Sequence, residues 1–148
     1  MPRKQKSKKS CPENLQPKIT ESVSGSVVSK LSLDYIINTT PLETLTIKGT
    51  AIAFSFDDSE EIRRTILFSP YQYVHVLTED CIDYEWLNTF YSGIGIYEVK
   101  KSALILDLKY QLQENDAHAN FLEKARHFII PLQDNLIEII AWNMQCEI

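Results

Sequence analysis

Hydrophobic and polar residues alternate along several short stretches of the chain, and this period of two is typical of β-strands with one buried face. Within residues 44–56 the alternation changes phase around Gly49, which predicts one strand containing a bulge. Residues 64–68 and 71–77 predict two further strands, because both are rich in β-branched and aromatic residues. Pro70 lies between them and either separates the two strands or marks a bulge at an edge.

The strongest strand signal comes from the C-terminal part of the chain. Residues 127–132 and 136–142 are both rich in isoleucine and leucine, and the polar residues 133–135 between them favour a turn. This pattern predicts a C-terminal β-hairpin. Residues 95–100 predict one more strand upstream of it.

Two stretches have the spacing of helices instead. Ser102 is a suitable N-cap for a main helix over about residues 102–114, in which the apolar positions three and four apart lie on one face; these are Leu104, Ile105, Leu108 and Leu112. Residues 79–90 predict a shorter helix capped by Asp80, since apolar residues recur there at every fourth position; these are Ile82, Trp86 and Phe90.

Together these elements place the protein in the α+β class. We expect an antiparallel β-sheet of about five to six strands, with the one main helix (about 102–114) packed on it and the C-terminal β-hairpin as its last two strands. The chain has 148 residues, of which 44% are apolar, enough for one hydrophobic core.

Charge divides the chain into two parts. Residues 1–25 contain six basic and two acidic residues, whereas the remainder contains nine basic and eighteen acidic residues and has a net charge of −9. The N-terminal part is also poor in aliphatic residues, so it cannot bury enough surface to offset the entropy of ordering. We therefore expect a disordered basic tail over residues 1–26 and a single α+β domain over residues 27–148.

The composition also limits the compartment and the chemistry. No apolar run has the form of a signal peptide or reaches the length of a membrane span. The three cysteines, Cys11, Cys81 and Cys146, have no CxxC spacing, which argues against a disulfide framework or a zinc site. We expect a cytoplasmic protein with no membrane partner, no metal and no cofactor.

An acidic and aromatic segment is the first candidate binding surface. Clustered carboxylates beside tyrosine and tryptophan suit a basic protein partner, because interfaces are enriched in these aromatic residues. The same acidic residues would also complement the dipole at the start of a helix, and the aromatic residues would also pack well on a sheet. The segment consists of Glu79, Asp80, Asp83, Tyr84, Glu85 and Trp86.

An alternative polar site would combine residues from separate strands. His75 and His127 both lie in predicted strands, and Glu138 lies in the last one, so the three side chains meet if those strands are neighbours. The chain has neither a paired-histidine metal motif nor a G-x-S-x-G nucleophile motif. No catalytic residue is therefore assigned, and an ordinary half-buried role for each histidine is the competing interpretation.

The C-terminal half resembles a pattern found in small uncharacterised bacterial α+β proteins. Its two parts are YEVKKS at residues 97–102 and RHFIIPLQDNLIEIIA at residues 126–141. Some small acidic bacterial proteins of this size are immunity proteins against toxins, so the resemblance implies a binding role. It supplies no catalytic residues.

The leading hypothesis is a non-enzymatic protein-binding module of the inhibitor or immunity-like type. One alternative is a small-ligand-binding protein or enzyme with its site near His75, His127 and Glu138. Another is a nucleic-acid-associated factor that uses basic residues 3–9, although a short basic run without aromatic residues disfavours nucleic acid. An exposed sheet edge also leaves a homodimer open.

Overall fold

The computed structural model describes residues 25–38 and 42–147. Apart from Gly25 and Ser26, the basic tail predicted over residues 1–26 lies outside the described residues, as does the nucleic-acid hypothesis on residues 3–9.

Eight strands form one antiparallel sheet within the described residues. Its order is β1-β6-β7-β8-β5-β4-β2, and β3 also pairs with β4. The strands are β1 (Val27–Lys30), β2 (Ile37–Asn38), β3 (Thr44–Lys48), β4 (Ala51–Asp58), β5 (Arg63–Thr78), β6 (Tyr97–Lys100), β7 (Arg126–Pro131) and β8 (Asn135–Glu147). The α+β class and the antiparallel sheet are confirmed, but the expected five to six strands are too few.

The strand count was too low partly because Gly49 forms a turn. Lys48 pairs with Ala51, so residues 44–56 form the hairpin of β3 and β4 in place of one bulged strand. Gly49 has a φ of +58°, a left-handed conformation that glycine adopts at little cost. A phase change at a glycine is compatible with a bulge and with a tight turn, and here it marks the turn.

The two strands predicted on either side of Pro70 are one long strand. β5 runs for 16 residues and pairs with β8 along most of its length. Thr65 lies opposite Glu147 at one end of this pairing, and Thr78 lies opposite Asn135 at the other. The pairing register shifts between Tyr71 and Tyr73, next to the proline. Because proline has no N–H to give to the sheet, a local irregularity at this position lets the strand continue past it.

The sheet is covered by apolar side chains on both of its faces. Phe128 belongs to a large cluster in which its ring lies 5.1 Å from that of Phe68. The next residue, Ile129, belongs to a second cluster with Tyr97 and Leu136. Successive side chains of a strand point to opposite faces, so β7 is buried on both sides. This explains its nearly continuous apolar sequence.

The main helix, α2 (Ala103–Asn115), agrees closely with the prediction. Ser102 is its N-cap, because the Ser102 Oγ accepts a hydrogen bond from the Ile105 N–H at 3.2 Å. The four apolar residues expected on one face are all partly buried; these are Leu104, Ile105, Leu108 and Leu112.

The shorter helix differs from the one predicted over residues 79–90. A single 3-10 turn, Glu79–Cys81, comes first, and the helix α1 (Tyr84–Asn88) follows. Asp83, and not Asp80, is the N-cap of α1, since its side chain accepts a hydrogen bond from the Trp86 N–H at 3.2 Å. The apolar spacing placed a helix correctly but extended it too far in both directions.

Candidate functional sites

Pairing between β5, β7 and β8 brings the three residues of the predicted polar site together. His75 lies directly opposite Glu138 in the register of β5 and β8. The His127 Nε2 lies 2.6 Å from the Glu138 Oε1, and the His75 Nδ1 lies 4.0 Å from the Glu138 Oε2. His127 is 5% exposed, whereas His75 and Glu138 are partly exposed.

A third side chain extends this site and was not anticipated from the sequence. The Ser102 Oγ lies 2.6 Å from the His127 Nδ1, so Ser102, His127 and Glu138 form a continuous hydrogen-bonded chain. The sequence identified Ser102 only as a helix cap. The pairing of Val99 with His127 places the start of α2 beside the histidine, and this pairing has no signal in the local sequence.

The hydrogen-bond directions in this chain follow from the capabilities of each group. The Glu138 carboxylate can only accept, so the His127 Nε2–H donates to it. With a neutral imidazole the Nδ1 is then an acceptor, and the Ser102 hydroxyl donates to it. The Ser102 Oγ keeps a lone pair for the Ile105 N–H. In this arrangement each group of the chain has a hydrogen-bond partner.

Ser102 also lies on the wall of a cavity of about 430 Å³ beside the start of α2. Four basic residues line this cavity, and one carboxylate, Glu98, faces them. The basic residues are Lys100, Lys101, Lys109 and Arg126. The cavity therefore carries an excess of positive charge next to the serine hydroxyl.

Glu98 organises part of this cavity. The Arg126 Nε and Nη2 donate to the two Glu98 oxygens at 2.8 and 2.9 Å, and the Lys100 Nζ donates to the Oε1 at 2.9 Å. The hydrogen bonds from Arg126 and then Lys100 lower the pKa of Glu98 from 4.5 to about 2, against the opposing effect of burial. Glu98 is therefore ionised at neutral pH, and its single negative charge, shared between Arg126 and Lys100, offsets one of the four positive charges.

The acidic and aromatic segment, in contrast to the basic cavity, forms a negatively charged surface. Its carboxylates and Tyr84 are exposed, whereas Trp86 is partly buried and packs edge-on against Phe90 with 5.0 Å between ring centroids. Trp86 therefore contributes to the second apolar cluster as well as to the surface. Asp83 has a structural role as the cap of α1.

A further carboxylate joins this segment in space. The Glu79 N–H donates to the Asp134 carbonyl oxygen at 2.9 Å, which ties the end of β5 to the turn between β7 and β8. We name the resulting surface the acidic end; it comprises Glu79, Asp80, Asp83, Glu85 and Asp134. Within residues 25–38 and 42–147, none of its carboxylates forms an ion pair.

The part of the chain that the structure describes contains neither a metal-binding cluster nor a membrane-spanning helix. No group of three or more histidine, cysteine, aspartate or glutamate residues there could hold a metal ion. No helix there is both long enough and apolar enough to cross a membrane.

Comparison with known proteins adds no relative. A scan against protein-family models, a search of curated proteins and a search of solved structures each return no match. The resemblance of the C-terminal half to small bacterial proteins therefore stays a prediction. Inferences about function rest on the residues of this chain.

Proposed function

We propose that the acidic end binds a basic partner protein, and that the protein is a binding module of the inhibitor or immunity-like type. The observation that carries this proposal is the group of five exposed carboxylates without an ion pair in the described residues. Complementary charge across an interface accelerates encounter and selects the partner.

The distribution of basic residues strengthens the charge of this surface. No lysine or arginine occurs between Thr65 and Val99, the stretch that contains four of the five carboxylates. Tyr84 and Tyr91 are 49% and 41% exposed in the same stretch and offer the amphipathic rings that interfaces favour. Acidic groups and aromatic rings are therefore available together.

The acidic end is also held by ordered secondary structure. Glu79 follows β5 directly and is bonded to the β7–β8 turn, while Asp83 begins a helix that buries Leu87. A surface that is already fixed loses little conformational entropy when a partner binds, so more of the contact energy contributes to affinity.

A charge-reversal experiment tests this proposal. The triple variant Glu79→Lys, Asp80→Lys and Glu85→Lys leaves the cap of α1 intact and reverses most of the acidic end. The matched control is Glu60→Lys, Asp107→Lys and Glu114→Lys, which makes the same charge change at exposed positions elsewhere. Both variants and the wild type are used to capture proteins from an extract of the native host.

We expect the wild type and the control to retain a basic protein that the acidic-end variant does not retain. Titration calorimetry with that purified partner should then show an affinity loss of at least about tenfold for the acidic-end variant alone. Equal retention by both variants, or recovery of no basic partner by the wild type, would contradict the proposal.

A further inference from the structure

We propose that Ser102, His127 and Glu138 form an acyl-transfer site that hydrolyses small carboxylic esters bound in the cavity beside α2. Ser102 is the nucleophile and His127 is the general base, whereas Glu138 is a positioning residue. This activity is separate from the binding surface proposed above and uses none of its residues.

The hydrogen-bonded chain has the direction that nucleophilic catalysis requires. The two contacts of His127, to Ser102 and to Glu138, are each 2.6 Å long. Glu138 holds the imidazole in the tautomer whose Nδ1 faces the serine hydroxyl, so the ring can accept the serine proton. Glu138 also compensates the positive charge that the buried ring then acquires.

The backbone around Ser102 supports the same role. β6 ends at Lys100, Lys101 turns the chain with a φ of +55°, and α2 begins at Ala103. A sharp strand-to-helix turn is the arrangement that presents a nucleophile in unrelated hydrolases. The Ala103 and Leu104 N–H groups belong to the first turn of the helix, where no helical carbonyl accepts them, and they can stabilise an oxyanion.

The cavity indicates the class of ester. Its volume of about 430 Å³ suits a small molecule. Its apolar wall, which includes Val99, Ile105 and Leu106, suits a short hydrocarbon chain. Lys109 is paired with Glu123 at 3.3 Å, whereas Lys101 forms no ion pair within the described residues and leaves positive charge available in the cavity. We therefore assign esters whose acyl part ends in a carboxylate, such as half-esters of dicarboxylic acids.

The reaction balances with the ester and water as its only reactants. The Ser102 Oγ forms a bond to the ester carbonyl carbon while its proton moves to the His127 Nδ1. The bond to the alcohol oxygen breaks, and the alcohol leaves with that proton. Water, deprotonated by His127, then cleaves the acyl-serine bond and releases the carboxylic acid and the free hydroxyl of Ser102.

The experiment uses the full chain with mono-4-nitrophenyl succinate and with 4-nitrophenyl acetate, and follows nitrophenolate release. A fluorophosphonate reagent labels any activated serine, and mass spectrometry of the digest identifies it. Ser102→Asn is the decisive variant, because asparagine caps a helix as well as serine does but cannot form an acyl intermediate. Ser92→Ala is the matched control for a serine outside the site.

We expect the wild type to hydrolyse the succinate ester above the buffer rate and faster than the acetate ester, and to be labelled at Ser102. Ser102→Asn should lose the label and at least about 100-fold of the rate while keeping its thermal midpoint. Glu138→Gln should lower the rate and alter its dependence on pH, a change that a purely structural role would not produce. Ser92→Ala should match the wild type.

Three results would overturn the proposal. The first is that the wild type releases nitrophenolate from neither ester. The second is that the label is found at a residue other than Ser102, and the third is that Ser102→Asn retains the rate of the wild type. In each case the Ser102–His127 contact only anchors the start of α2 to β7. A preference for the acetate ester would overturn the assignment of anionic substrates.

Discussion

Glu98 is buried in β6 at 4% exposure and accepts hydrogen bonds from both Arg126 and Lys100. Because the pKa of Glu98 is lowered in the folded protein, its contribution to stability is fully present above a pH of about 4.5. This contribution is lost as the pH falls to about 2. A shift from 4.5 to about 2 corresponds to on the order of 3 kcal/mol. Urea unfolding over this pH range should show the loss.

The control for this prediction is Glu98→Gln, which removes the titrating group and keeps the size of the side chain. Its free energy of unfolding should be lower than that of the wild type at pH 6 and should fall less between pH 4.5 and pH 2. The pKa of Asp58 is also lowered, mainly by the hydrogen bond from the Ile62 N–H. Asp58 therefore makes the free energy of unfolding depend on pH in both proteins. Identical slopes would show that Glu98 is not responsible.

At the scale of single residues, the sequence predicted that His75, His127 and Glu138 lie close together but not that Ser102 joins them. His75, His127 and Glu138 were selectable because strand periodicity placed them in strands. Ser102 was recognisable as a helix cap, since capping depends on neighbours in sequence. Its contact with His127 depends on the pairing of β6 with β7, which local patterns do not encode.

The β3–β4 hairpin provides a prediction at the scale of elements. Gly49→Ala should lower the free energy of unfolding by about 1 kcal/mol, because alanine pays to adopt the left-handed conformation of this position. A Cβ added at Gly49 would meet no other atom within 4 Å, so the cost comes from the backbone alone. Chemical denaturation of the two proteins gives the difference.

Asparagine supplies the control for the hairpin, since it tolerates the left-handed region better than alanine does. Gly49→Asn should therefore recover part of the stability that Gly49→Ala loses. Equal losses in both variants would indicate that a factor other than backbone conformation determines the stability of this turn.

Elements with strong local signals were predicted well, and those defined by distant partners were not. The hairpin of β7 and β8 and the helix α2 follow from runs and periodicity within single segments. β1 and β2 contain only four and two residues, and they are strands because β6 and β4 pair with them. β5 was divided because Pro70 ordinarily interrupts a strand.

At the scale of the whole molecule, the uneven distribution of charge leads to a kinetic prediction. If the acidic end guides a basic partner, the association rate should fall by on the order of tenfold as salt rises from about 50 to about 500 mM. Stopped-flow or surface-based association measurements provide the rates. The dissociation rate should change less, because close contacts are screened less than long-range attraction.

The acidic-end variant serves as the reference for this measurement, and its association rate should respond only weakly to salt. An equal salt response in the wild type and this variant would place the electrostatic guidance elsewhere on the molecule.

The homodimer across an exposed sheet edge stays a separate prediction. The outer strand on one side of the sheet is β1, where Val27 is 59% exposed.

β8 joins the two halves of the sheet, because it pairs with β7 on one side and with β5 on the other. Thr65 and Glu147 are partners although 82 positions separate them. During translation the ribosome therefore releases β3, β4 and β5 long before the strand that completes their sheet. Until β8 is synthesised, Phe54, Phe56 and Phe68 lack the part of the core that β8 supplies, and one edge of β5 is unpaired. The nascent chain therefore exposes apolar surface and a strand edge of the kind that promotes aggregation.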